Sequence, residues 1–94
     1  MATEPIEITH PDWLPQVFTS ERQFHTDEEK ILLAVELSRE NARRGTGWPF
    51  GAAIFPAGGV HPLALGTNGV TRLRNSVVHA ETMAFMAAER ALGR

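Results

Sequence analysis

Cysteine is absent from this chain of 94 residues. That absence excludes a disulfide framework and any thiolate ligand or nucleophile of its own, and it leaves the redox compartment open. No apolar run approaches the length needed to cross a bilayer, and the acidic, proline-containing start does not resemble a secretory signal. A basic stripe is lacking too. The net charge is -2 and the arginines are scattered, so there is no nucleic-acid patch of the kind that neutralises phosphates. Arg43, Arg44, Arg72 and Arg74 either line a cleft together or face solvent. A soluble, cytoplasmic protein with no membrane partner is the expectation these absences leave.

What is present fits a small globular unit. Apolar residues make up 43% and charged residues 21% of the chain, which is ordinary for a folded protein and argues against disorder. A chain of this size forms one domain at most and buries about two thirds of its unfolded surface.

Residues 1–25 read as an extended or irregular arm, because Pro5, Pro11 and Pro15 interrupt any helix. Trp13, Leu14, Val17 and Phe18 could dock that arm on a core or meet a partner. Thr26-Asp27-Glu28-Glu29 is a capping-box signature, in which the threonine hydroxyl bonds the Glu29 amide and the Glu29 carboxylate reaches back. A helix is predicted from there to Arg43-Arg44 and Gly45, with Ile31, Leu32, Ala34, Val35, Leu37 and Ala42 as its apolar stripe. The run from Pro49 to Phe55 is short, apolar and bounded by proline, which suits a buried strand. Ala57 to Val60 form a turn, and Leu63 to Asn68 return as a second strand, giving a hairpin that needs a further element on its face. Gly69 to Ser76 are predicted as a loop over a cleft. The last helix opens near His79 with Ala80, Met83, Ala84, Ala87 and Leu92 as its apolar face.

The residues most suited to chemistry are His79-Ala80-Glu81 at that helix start. An imidazole is a common ligand for zinc, and a neighbouring carboxylate that is not a ligand can take a proton from water and return it to a leaving group. A helix that merely begins with polar residues would show the same three letters.

Three ordered motifs add specificity. Gly47-Trp48-Pro49-Phe50-Gly51-Ala52-Ala53-Ile54, Gly66-Thr67-Asn68 and His79-Ala80-Glu81-Thr82-Met83 occur in the order and spacing of the cytidine and deoxycytidylate deaminase-like zinc-dependent family. Within it, the chain most resembles bacterial guanine deaminases and related nucleoside deaminases, and the resemblance runs from Thr26 to Arg94. It implies an α/β class, a three-layer α/β/α cytidine deaminase-like fold of which helix, β-hairpin and helix form the first part. Residues 26–94 would be the N-terminal part of a deaminase domain, after the arm of residues 1–25.

Function follows as an expectation from the same resemblance. His79 would be the histidine ligand of Zn2+, and Glu81 would shuttle protons between water, a ring nitrogen and the departing amine. Asn68, Phe50 and Ala80 would contact the base. An amide offers donor and acceptor to a heterocycle edge, and a phenyl ring suits a flat partner; Phe50 could equally be plain core. The family's P-C-x-x-C, which supplies two thiolates, has no counterpart here, and His10, His25 and His61 do not stand at a replacement spacing. Another departure is Ser76 after Asn75, where the family has proline; a serine can cap a helix as well. The expectation is a zinc-dependent hydrolytic deaminase of a purine base or nucleoside, active when completed by a C-terminal half, as a homodimer or with a complementing chain. The alternative is a catalytically inactive half-deaminase that serves as a binding or assembly module.

Overall fold

The computed structural model describes residues 1–93; Arg94, the end of the second predicted segment, lies outside the described residues. In chain order, the elements are α1 (Leu14–Val17), α2 (Asp27–Arg43), β1 (Gly51–Ile54), β2 (Ala64–Thr67), α3 (Val70–Leu73) and α4 (Ala80–Leu92). The strands form an antiparallel pair with Gly51 opposite Thr67, Ala52 opposite Gly66, Ala53 opposite Leu65 and Ile54 opposite Ala64. Helix α2 packs mainly on β1, and α4 packs on β2 and β1. The hairpin is therefore the middle layer.

Glycines set the spacing of those layers. Cross-strand partners share a face of the sheet and successive residues alternate between faces. Gly51 faces α2, where a Cβ would lie 2.5 Å from the Ala34 carbonyl oxygen and 2.7 Å from Leu37 Cβ. Gly66, opposite Ala52, faces α4, where a Cβ would collide with the Ala80 carbonyl oxygen and lie 2.6 Å from the Ala84 nitrogen. One missing side chain on each face thus lets a helix backbone approach a strand directly, and it is the N-terminal half of α4 that Gly66 admits.

The capping signature forms with one shift. Thr26 Oγ1 accepts from the Glu29 amide at 3.1 Å, but the Glu29 carboxylate reaches one residue further back and accepts from the His25 amide at 2.7 Å. The arm docks as its apolar residues suggested. Trp13, Leu14, Phe18 and Phe24 bury against Leu33 and Leu37, with Val17, Ala53, Phe55 and Leu65 packed at the margin. Pro15 stands in the first turn of α1, where a missing amide proton costs nothing. Arg22 crosses Phe18 and Phe24, 5.5 and 5.2 Å from their ring centroids, and pairs with Glu36 at 2.9 Å.

The stripe of α2 is rotated from the predicted one. Its buried residues are Leu33, Leu37 and Asn41, spaced by four, whereas Ile31 and Leu32 are 64% and 56% exposed and Val35 and Ala42 also face outward. The helix is apolar over so wide an arc that periodicity alone does not say which side meets the sheet. Helix α4 shows a smaller difference: Ala80, Met83, Ala84 and Ala88 are buried, and Leu92 is exposed. The predicted loop after β2 contains one helical turn, α3, closed by the Leu73 amide on the Gly69 carbonyl at 2.8 Å. Ser76 is not the cap of α4; His79 holds that position in extended backbone, and the Asn75 side chain instead accepts from the Val77 amide at 3.0 Å. Among the described residues no helix is long and apolar enough to cross a membrane.

Each strand of the pair has one unpaired edge, and Ile31, Leu32, Val35, Phe85 and Met86 leave apolar surface on the outer sides of both helices. Folded proteins normally pair or cover such edges and patches. The chain on its own is expected to self-associate or to bind a hydrophobic dye; a sedimenting monomer at all accessible concentrations, with no dye binding, would contradict this.

Candidate functional site

Two loops and a helix start meet at one end of the hairpin. The loop before β1 brings Trp48 and Phe50, the loop after β2 brings Asn68 and Val70, and the opening of α4 brings His79, Ala80 and Glu81; together they line a hollow of about 360 Å³. All five residues singled out from the sequence, Phe50, Asn68, His79, Ala80 and Glu81, are in it. Trp48 and Val70 are the additions. Trp48 stood in a recognised motif, but an aromatic residue beside a Gly-Pro loop does not announce which way it turns.

The two aromatics come together through a tight turn. The Phe50 amide donates to the Trp48 carbonyl at 2.8 Å, a three-residue turn centred on Pro49, whose ring fixes the backbone angle at that position. Residues two apart share a face of an extended strand, and across this turn Trp48 and Phe50 both reach the hollow. Phe50 is 55% exposed, so it belongs to the hollow and not to the core.

Asn41, which sequence reasoning passed over, holds this end together. It is fully buried, and its amide nitrogen donates to the carbonyls of Trp48 at 2.8 Å and Asn68 at 3.0 Å. Its side-chain oxygen accepts from the Thr46 hydroxyl at 2.7 Å, which in turn accepts from Trp13 Nε1 at 3.0 Å. Gly47 passes so close that a Cβ would lie 2.6 Å from the Asn41 nitrogen and overlap the Asn68 carbonyl. The only legible signal for Asn41 was its place four residues after Leu37.

Asn68 is nearly buried. Its side-chain oxygen accepts from the Val70 amide at 3.2 Å, and among the described residues its NH2 group has no partner, so its free function at the hollow is that of a donor. His79 is the N-cap residue but makes no side-chain capping bond, which leaves its imidazole available. Glu81 lies in the first turn of α4, where the helix dipole favours a carboxylate. Thr82 turns its hydroxyl back onto the Val77 and His79 carbonyls at 2.6 and 2.9 Å. Ala80, fully buried, forms the floor against β2.

The other titratable candidates lie elsewhere. Arg43 and Arg44 both bond Glu40, at 2.6 and 2.8 Å, and hold its carboxylate below its ordinary range, the hydrogen bonds being the main cause. Arg72 reaches across to the arm and donates to the Thr9 carbonyl at 2.6 Å. His25 faces Gln23, His61 faces the Arg22 carbonyl, and burial, aided by Arg72, lowers the pKa of His10. None joins His79. Among the described residues no group of three His, Cys, Asp or Glu side chains could hold a metal ion.

Comparison with solved structures gives this arrangement a class. Guanine deaminase from Bacillus subtilis matches at 37% identity and a TM-score of 0.67, over 72% of this chain and 42% of that one. A variant of NE0047 in complex with 8-azaguanine matches at 30% identity and a TM-score of 0.83, over 99% of this chain and 50% of the other. The guanine deaminase from Nitrosomonas europaea matches at 28% identity and a TM-score of 0.82, again over 99% and 50%. No protein-family model matches the chain, and no curated protein matches it by sequence. The chain has the cytidine deaminase-like fold. Within that fold it is similar to the guanine deaminases, as the three motifs implied. It spans about half the length of the solved structures it matches, or somewhat less.

Two expectations follow. Asn41→Leu, which keeps the volume and removes both donors, leaves the buried Asn68 carbonyl without its partner, while the Trp48 carbonyl keeps the Phe50 amide, and should cost about 1–3 kcal/mol, read as a lower urea midpoint; an unchanged midpoint would mean that the clamp is not structural. Metal analysis of the purified chain after dialysis should find far less than one zinc per molecule, since zinc sites use three or four protein ligands; stoichiometric zinc on a monomer would contradict it.

Proposed function

We propose that this chain is the nucleobase-binding part of a guanine-deaminase-like hydrolase, which releases ammonia from a purine base or nucleoside once a further segment or chain completes the domain. The observation that carries the reading is that residues from three separated motifs, Phe50, Asn68 and His79-Ala80-Glu81, line one hollow. NE0047 is described with 8-azaguanine and guanine deaminases are named for guanine, and a flat purine of that kind suits a hollow with aromatic walls, an amide donor and a carboxylate.

In the proposed reaction, water adds to the amine-bearing ring carbon and ammonia leaves, so that an oxo base replaces the amino base. Glu81 takes the water proton, delivers it to the adjacent ring nitrogen, and passes a proton to the departing amine. Asn68 donates from its NH2 group to an acceptor on the base edge, and Phe50 keeps one face of the ring out of water. Zinc does not fit the donors of this chain alone, because His79 is a single imidazole and there is no thiolate. Metal binding through His79 therefore belongs to the completed domain, with two cysteine ligands from a complementing segment or polypeptide, since a second copy of this chain has no cysteine to give.

The second reading is an inactive half-deaminase that works as a binding or assembly module. The exposed apolar residues Ile31, Leu32, Val35, Phe85 and Met86 favour association under either reading, so catalysis separates the two.

The test joins this chain to a segment that supplies the P-C-x-x-C helix and follows ammonia release from guanine, adenosine and cytidine. Glu81→Gln is expected to keep metal and lose about a hundredfold or more of turnover, while His79→Ala loses the metal. Turnover by Glu81→Gln close to that of the unaltered assembly would show that Glu81 is not the proton carrier; no ammonia from any substrate would leave the assembly-module reading.

A further inference from the structure

Trp48 combines a fixed backbone with an exposed side chain. Its carbonyl is held twice, by the Asn41 amide at 2.8 Å and by the Phe50 amide at 2.8 Å, so the residue cannot drift. Its indole is nevertheless 62% exposed, an unusual place for so large an apolar group, and its one side-chain bond is from Nε1 to the Thr71 hydroxyl at 3.2 Å. One hollow beside the indole is the candidate site. A second, of about 440 Å³, is lined by Gly45, Thr46, Gly47, Trp48, Thr71 and Arg72. Trp48 thus lines two cavities and is not a piece of core.

Core packing does not account for this. The tryptophan that belongs to the core is Trp13, buried and bonded to Thr46; Trp48 is not among the buried core residues. A flat, wide ring at a fixed anchor point, lining the same hollow as a donor and a carboxylate, is suited to stack on another flat ring. Stacking grows with the area of overlap, so it favours a bicyclic ring over a monocyclic one.

We propose that Trp48 is the specificity-determining wall of the site: its indole stacks on the bound heterocycle, anchored by Thr71, and selects purines over pyrimidines. The inference rests on the nucleobase-binding reading above and adds to it the residue that discriminates ring size. Thr71 acts as a positioning residue, since it touches the indole and not the base. Phe50, two residues on, supplies a second aromatic surface that is not sufficient for the discrimination.

The test measures binding of 8-azaguanine and of cytosine to the full chain and to Trp48→Ala, Trp48→Phe and Thr71→Val by equilibrium dialysis. The unaltered chain is expected to prefer 8-azaguanine. Trp48→Ala should lose about tenfold or more of its 8-azaguanine affinity, the range found when a stacked aromatic is truncated, and much less of its cytosine affinity. Trp48→Phe should retain most of the preference, and Thr71→Val should lose part of it while the indole remains. Because the indole is largely exposed, all variants should unfold at the same urea midpoint as the parent, so a binding loss is not a folding loss. If both bases bind and Trp48→Ala weakens them equally or not at all, the selective role of Trp48 falls while the site stands. If neither base binds the unaltered chain, the nucleobase reading itself falls, and this inference with it.

Discussion

One buried amide ties the parts of this molecule together. Asn41 stands at the last turn of α2 with no exposed surface, and its hydrogen bonds reach the loop before β1, the loop after β2 and, through Thr46, the arm at Trp13. The Asn68 carbonyl is buried where it meets the amide, and an unmatched carbonyl there would cost about 1–3 kcal/mol. The amide matches both loops at once. A leucine or alanine at the same position would complete the apolar face of α2 and leave the candidate site without its backbone frame.

The consequences extend through the layers. Because Asn41 fixes where β1 begins and β2 ends, the register that sets Gly51 toward α2 and Gly66 toward α4 is held at the site end of the hairpin. Gly66 then admits the α4 backbone, and the Gly69 amide on the Val78 carbonyl at 3.0 Å joins the loop after β2 to the start of that helix. His79, Ala80 and Glu81 are delivered to the hollow by this stacking of close approaches and not by any bond of their own side chains.

The same architecture leaves much uncovered. A two-stranded sheet is marginal in isolation, and here a helix on each face and the aromatic cluster of the arm supply the support. Trp13, Phe18 and Phe24 do for α2 and the hairpin what a further strand or helix would do in a larger domain. The outward residues Ile31, Leu32 and Val35 of α2 and Phe85 and Met86 of α4 are left for some other surface. That agrees with a chain that spans about half the length of the guanine deaminases it resembles.

Local chemistry was enough to read several parts directly from the residues. The Thr26 cap, the proline-bounded first strand, the returning second strand and the helix after His79 all rest on short-range rules, and the structure has each of them. Phe50, Asn68, His79, Ala80 and Glu81 came instead from the resemblance that the three motifs carry, and the structure brings these five to one hollow. Tertiary structure decided the rest. Which side of α2 meets the sheet could not be read, since Ile31, Leu32, Leu33, Val35 and Leu37 are all apolar and only packing distinguishes Leu33 from its neighbours. Asn41 was invisible because a lone amide at a helix end has many ordinary uses. Its role depends on where two distant carbonyls come to rest. Trp48 entered the hollow, while Trp13 entered the core, because the turn at Pro49 and the Asn41 clamp oriented one and the apolar cluster enclosed the other, and neither cause is local to the indole.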